Sequence, residues 1–199
     1  YVLENDAFRD MVEYKELKVG NGSKKIPVLR FALRSRERDR VLKEIHLYNS
    51  GENFAPNTTH RTSYVNKVWL LKDSDGSGVN GTNNTFYTFE EEFLMAEVEL
   101  PSSNSLDKLV IKIPTANRVT INQHDPLNPN SDQYFYVLYD IGSGFPVGDE
   151  VGVALLGAIA HEPSDPSDIS VLKGTLPAGE ATFVVQQANI IISDVVENI

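Results

Sequence analysis

The feature that most constrains this chain is a recurrent two-residue alternation of apolar and polar side chains. It is carried by β-branched and aromatic residues in short runs closed by Gly, Pro, Asn, Asp and Ser. Successive side chains of an extended strand point to opposite faces, so each run suits a strand with one face on a core and the other in water. Such runs occupy residues 28–35, 41–49, 64–72, 93–100, 106–113, 134–141, 151–156 and 181–192. Leu29, Phe31 and Leu33 share a face in the first, and Val41, Ile45 and Leu47 in the second. In the third, Val68 and Leu70 face one way while Trp69 and Leu71 face the other, so both faces are expected to be covered there.

Many short strands at this spacing indicate a sandwich or a barrel. The expected fold is all-β, an immunoglobulin-like or jelly-roll-like antiparallel β-sandwich, with Leu29, Phe31, Leu33, Ile45, Leu47, Val68, Leu70 and Val137 in its core. Only residues 4–14 carry helical spacing: Leu3, Ala7 and Met11 fall on one face with Phe8 and Val12, and Asn5 or Asp6 is placed to cap. The same residues also read as an extended arm. With no low-complexity linker, internal repeat or break in composition, the chain divides into an arm or short helix over residues 1–12 and a single sandwich domain over 13–199. Residues 36–40, Arg-Glu-Arg-Asp-Arg, read as a solvated turn, and residues 122–133 as the longest loop.

Charge and composition exclude several functions. The formal net charge of -10 opposes a phosphate backbone and an anionic membrane surface, and Lys and Arg are scattered rather than striped. The absence of cysteine removes disulfides, thiolate metal sites and thiol catalysis. The longest apolar run, residues 153–160, is interrupted by Gly157 and falls far short of the roughly twenty residues of a membrane-spanning helix. A first residue Tyr1 rather than methionine fits an exported chain whose leader has been removed, or a fragment of a longer chain.

Four patterns bear on chemistry. Asp73, Asp75, Ser77 and Gly78 stand at positions one, three, five and six of a calcium loop, where oxygen ligands alternate about a glycine turn. Position twelve is Asn84, so the closing bidentate carboxylate is missing; calcium is the only cofactor the residues suggest, and a hydrated turn the plainer reading. Glu90, Glu91 and Glu92 alternate between faces and read as a charged edge that discourages stray strand pairing. His46, His60, His124 and His161 lack metal-ligand spacing and read as surface or loop residues. Asn21, Asn57, Asn80 and Asn83 each begin an Asn-x-Ser/Thr acceptor within turn-rich sequence, where an exported glycoprotein would carry sugar.

The stretch Ile26-Pro27-Val28-Leu29-Arg30-Phe31-Ala32-Leu33 is followed by Ile45-His46-Leu47-Tyr48-Asn49-Ser50-Gly51. Then come Val68-Trp69-Leu70-Leu71-Lys72-Asp73-Ser74-Asp75-Gly76-Ser77-Gly78. Together these resemble secreted prokaryotic cell-surface modules of immunoglobulin-like sandwich type, over roughly residues 26 to 90. The resemblance implies an extracellular location and a spacer or binding role, and brings no catalytic residue with it.

No nucleophile elbow, phosphate loop or paired metal ligands accompany these strands, so no enzymatic activity is expected; an acid–base hydrolase would need two carboxylates facing one cleft. The expected role is that of an extracellular structural subunit of a pilus-like filament or a surface layer, a homopolymer built by donation of a terminal segment. Tyr1, Val2, Leu3, Ala7 and Phe8 are apolar enough to complete a neighbour's sheet. The alternative is an adhesin or carbohydrate-binding module of a larger surface protein, for which Trp69, Tyr64, Phe86 and Tyr87 are the compact aromatic candidates, although their alternation favours core packing.

Overall fold

The computed structural model of the chain describes residues 2–3, 18–20, 22–50, 65–73, 93–100, 108–123, 125, 127, 133–142, 150–171 and 178–186. In chain order its strands are β1 (Val2–Leu3), β2 (Lys18–Gly20), β3 (Ile26–Leu33), β4 (Arg40–Ser50), β5 (Val65–Lys72), β6 (Phe93–Glu99), β7 (Lys108–Lys112), β8 (Thr120–Ile121), β9 (Gln133–Ile141), β10 (Glu150–His161), β11 (Ile169–Val171) and β12 (Ala178–Gln186). The helical reading of residues 4–14 lies outside the described residues. Among the described residues the only helical turn is a 3-10 turn at Thr115–Asn117, and no helix is long and apolar enough to cross a membrane.

The strands form two sheets. The first is ordered β1-β3-β9-β5-β6, and the second β2-β12-β10-β4-β7, with β11 added to β10 and β8 to β4. Strand pairings are antiparallel except that of β12 with β2, where Val184 stands beside Lys18 in parallel. The inner faces of the two sheets share one core, which makes the fold an all-β sandwich. Cross-strand rows build that core: Leu29, Val137, Leu70 and Ala96 stand in register across β3, β9, β5 and β6. In the second sheet Leu47 lies between Leu109 and Leu155. The rings of Phe31 and Phe135 stack with centroids 5.4 Å apart and planes 17° from parallel. All eight side chains expected in the core are buried. Each fully buried Leu, Ile or Phe contributes about 1.5–3 kcal/mol relative to remaining in water. Burial also pushes the Tyr139 phenol far above its ordinary pKa.

Val41 is the exception to the expected alternation. The pairing of β4 with β10 slips between Ile159↔Glu44 and Ala160↔Leu42, so Lys43 is an extra residue on β4. A bulge reverses the facing of everything beyond it. Leu42 is therefore buried at 1% exposure, while Val41 is only half-buried. A second slip at Leu156 lets β10 run on past the expected residue 156 to His161. A third, at Val28, adjoins Pro27, which lacks the N–H that a ladder hydrogen bond needs.

The central strand β9 is buried without interruption from Phe135 to Tyr139. On its outer face Tyr136 and Leu138 form a smaller apolar cluster with Leu71, against which Trp69 packs. Both faces of the first sheet are thus covered at this point, as the Trp69 and Leu71 alternation implied.

Candidate functional site

A cleft of about 630 Å³ opens where the two sheets part. The cause is local sequence: the inward side chains of β10 change from Val153 and Leu155 to Ala158 and Ala160, and small residues leave the space between sheets unfilled. Leu33, Leu42 and Ile121 complete an apolar floor, β11 contributes a wall through Ile169, Ser170 and Val171, and Arg34, Arg36, Glu37 and Arg40 stand around the mouth. Ile169 and Val171 are exposed at 54% and 65%, so this wall presents apolar surface to solvent.

Ion pairs tie the mouth together. Arg38 reaches from the β3–β4 turn to Glu162 at 2.5 Å and to Asp168 at 2.8 Å, and Arg40 lies 3.4 Å from Asp168. The loop 162–168 is folded on itself. Glu162 N–H donates to the Asp168 carbonyl, and Asp168 N–H donates to that of Asp165. The Ser167 hydroxyl and backbone N–H both donate to Asp165 Oδ1, at 2.5 and 2.9 Å, and hold that carboxyl below the ordinary carboxylate range. On the other side Gln123 N–H donates to Asp39 Oδ1 at 2.8 Å, and the Ser35 hydroxyl donates to the Arg38 carbonyl. Residues 36–39 are the solvated turn expected, and they also brace the cleft.

His161 corrects an expectation. It ends β10 with 7% exposure, and its Nδ1–H donates to the Glu162 carbonyl at 2.8 Å, which fixes the tautomer. His46 lies on β4, half-buried, with Nε2 3.3 Å from Glu44 Oε2. His60 and His124 lie outside the described residues.

On the outer face of the first sheet, Trp69 is committed to its neighbours. Its Nε1–H donates to Asp140 at 3.1 Å, and the ammonium groups of Lys25 and Lys67 stand 5.2 and 4.8 Å from its ring centroid. Lys67 also lies 3.3 Å from Glu99 and 3.6 Å from Glu97, and its hydrogen bond to Glu99 raises its pKa. Tyr64, Phe86 and Tyr87 lie outside the described residues.

Of the other sequence-derived positions, Asp73 is buried just beyond β5, where its N–H donates to the Tyr134 carbonyl at 3.0 Å. Asp75 and Ser77, the acceptors Asn21, Asn57, Asn80 and Asn83, the acids Glu90 to Glu92, and Tyr1, Ala7 and Phe8 lie outside the described residues. Val2 and Leu3 form β1, opposite Leu33 and Ala32 of the same chain. Among the described residues no three His, Asp or Glu side chains group as a metal site. The cleft was missed from sequence because its floor is made by the absence of bulk at Ala158 and Ala160. The dense arginines of 34–40 were its one visible sign.

No protein-family model and no curated protein matches the chain. Among solved structures, the Hadza microbial sialidase Hz136 resembles it with a TM-score of 0.47 and 9% sequence identity, over 85% of this chain and 30% of that one. The chain thus spans less than a third of that protein's length, and no residue or activity is carried over from it.

Proposed function

We propose that the chain is a non-catalytic structural subunit of an extracellular assembly, a filament or surface layer, in which the segment ahead of β2 adds as a strand to β3 of a neighbouring copy. The observation that supports this reading is the docking of Val2–Leu3 on β3. Among the described residues β1 covers only Ala32 and Leu33, and the rest of β3 has no strand on that side. Such an edge carries unpaired N–H and C=O groups that an added strand satisfies. Leu33, the partner of Val2, is also part of the cleft floor, so a strand added here ends beside an apolar opening able to take side chains. A pairing made within one chain is equally available between two, and head-to-tail exchange of this kind propagates without closing. Deletion of residues 1–11 tests the reading: the truncated chain should keep its β-sheet circular dichroism and lose polymers seen by electron microscopy. Normal polymers from the truncated chain would sink it.

The cleft itself favours a second reading, a binding module of a larger surface protein. Its apolar floor and arginine-lined mouth suit an apolar chain bearing an acidic group, and among the described residues no aromatic ring lines it to stack on a sugar. Ala160→Phe, which fills the floor, should abolish binding of a medium-chain fatty acid if this reading holds; unchanged binding, or none by the parent chain, removes it.

A further inference from the structure

Arg30 is a buried cation that neither the core nor the cleft absorbs. It sits in β3 between Leu29 and Phe31, which face the core, so its side chain lies on the outer face of the first sheet. There it stands in register with Tyr136 of β9, and its guanidinium carbon lies 5.1 Å from the centroid of the Tyr134 ring. The residue is only 9% exposed, and both Nε and Nη2 are buried with no hydrogen-bond partner among the described residues.

Those two nitrogens are not an arbitrary pair. Nε–H and Nη2–H point in parallel along one edge of the planar guanidinium, the edge that receives both oxygens of a carboxylate. The acids described on this face are engaged elsewhere: Asp140 accepts from Trp69 Nε1–H and from the Lys25 N–H, Glu97 and Glu99 pair with Lys67, and Asp73, buried beside Tyr134, has contacts of its own. A buried cation with its donors unmet is costly, and a neutral acceptor would leave the charge uncompensated. A carboxylate answers the donors and the charge together.

We infer that Arg30 anchors a carboxylate-binding site on the outer face of the first sheet, with the Tyr134 and Tyr136 rings as its walls. The ligand class is a small carboxylic acid with a flat or apolar body; a carboxylate presented by a second copy of this chain has the same chemistry.

The test uses the full chain, with acetate and benzoate as probes at constant ionic strength balanced by chloride. Thermal unfolding and the fluorescence of Trp69, the single tryptophan, are the readouts. The expected result is a melting temperature that rises with probe concentration, because a ligand that binds only the folded state stabilises it. The rise should be absent in Arg30→Met. In Arg30→Lys, whose ammonium keeps the charge but lacks the parallel donors, apparent affinity should fall about tenfold or more. Arg30→Lys serves alone should Arg30→Met fail to fold. A melting temperature that instead rises with protein concentration without probe, and does so only when Arg30 is present, identifies a second copy as the source of the carboxylate. No dependence on either probe or protein concentration overturns the inference, as does an equal response in the parent chain and both variants.

Discussion

Leu70→Ala is the perturbation whose size the structure determines best. Leu70 is fully buried on β5 and stands in register with Val137 of β9 on one side and Ala96 of β6 on the other. Both neighbouring strands are held by their own ladders, so the site has little freedom to collapse. Removing the buried carbons forfeits about 0.8 kcal/mol for each methylene equivalent, roughly 2.4 kcal/mol in all. The cavity term raises the cost to about 3–5 kcal/mol. In a chain of this length each kcal/mol lowers the melting temperature by about 2–4 °C, so a fall of about 6–20 °C is expected in calorimetry. Leu94→Ala is the matched control: Leu94 is 40% exposed on the edge strand β6, and its truncation should cost less than about 1 kcal/mol. Equal shifts for the two variants, or a shift below about 2 °C for Leu70→Ala, would show that the inner face of β5 is not the core described.

Other consequences are equally open to measurement. Ser167→Ala should raise the Asp165 pKa toward the ordinary carboxylate value in a carbon-detected NMR titration. Because the folded-state pKa is depressed, the associated stability is present above the unfolded-state pKa and disappears as pH falls through the folded value, so the variant should be less stable than the parent above that window and equal to it below. Arg38→Ala removes two exposed ion pairs and should cost less than about 2 kcal/mol, a difference that shrinks further in 1 M salt. Gly157→Ala should be tolerated or stabilising by about 0.4–1 kcal/mol, since the added Cβ would meet His46 at 3.6–3.9 Å, ordinary contact, and chemical denaturation reads the difference. A chelator should leave the melting temperature unchanged, because Asn84 stands where the Asp73 turn would need its closing carboxylate.

The period-two rule located the long strands because burial on one face leaves a mark at every second residue. Leu29, Phe31 and Leu33, or Val68 and Leu70, are legible for that reason. It failed at Val41 because a bulge at Lys43 adds one residue to β4 without changing composition, and nothing in the local sequence marks it. Strands as short as β8 and β11 escaped notice since two or three residues carry no period, and their place is set by their partners on β4 and β10. The cleft was illegible for a related reason: Ala158 and Ala160 continue an apolar run, and only pairing with β4 shows that they leave space facing Leu33 and Leu42. Arg30, read as the polar half of an alternating strand, gains meaning only from its burial at 9% exposure on the outer face.

The central claim, strand addition between copies at β3, is tested most directly by a covalent trap. The chain lacks cysteine, so Val2→Cys with Leu33→Cys provides the only two thiols. The paired positions of an antiparallel ladder lie about 4.5–5.5 Å apart between Cα atoms, within disulfide range. Oxidised at the concentration of assembly and run on a non-reducing gel, this double variant should yield a ladder of covalent multimers that collapses on reduction. A single band of internally closed monomer at every protein concentration would contradict the account.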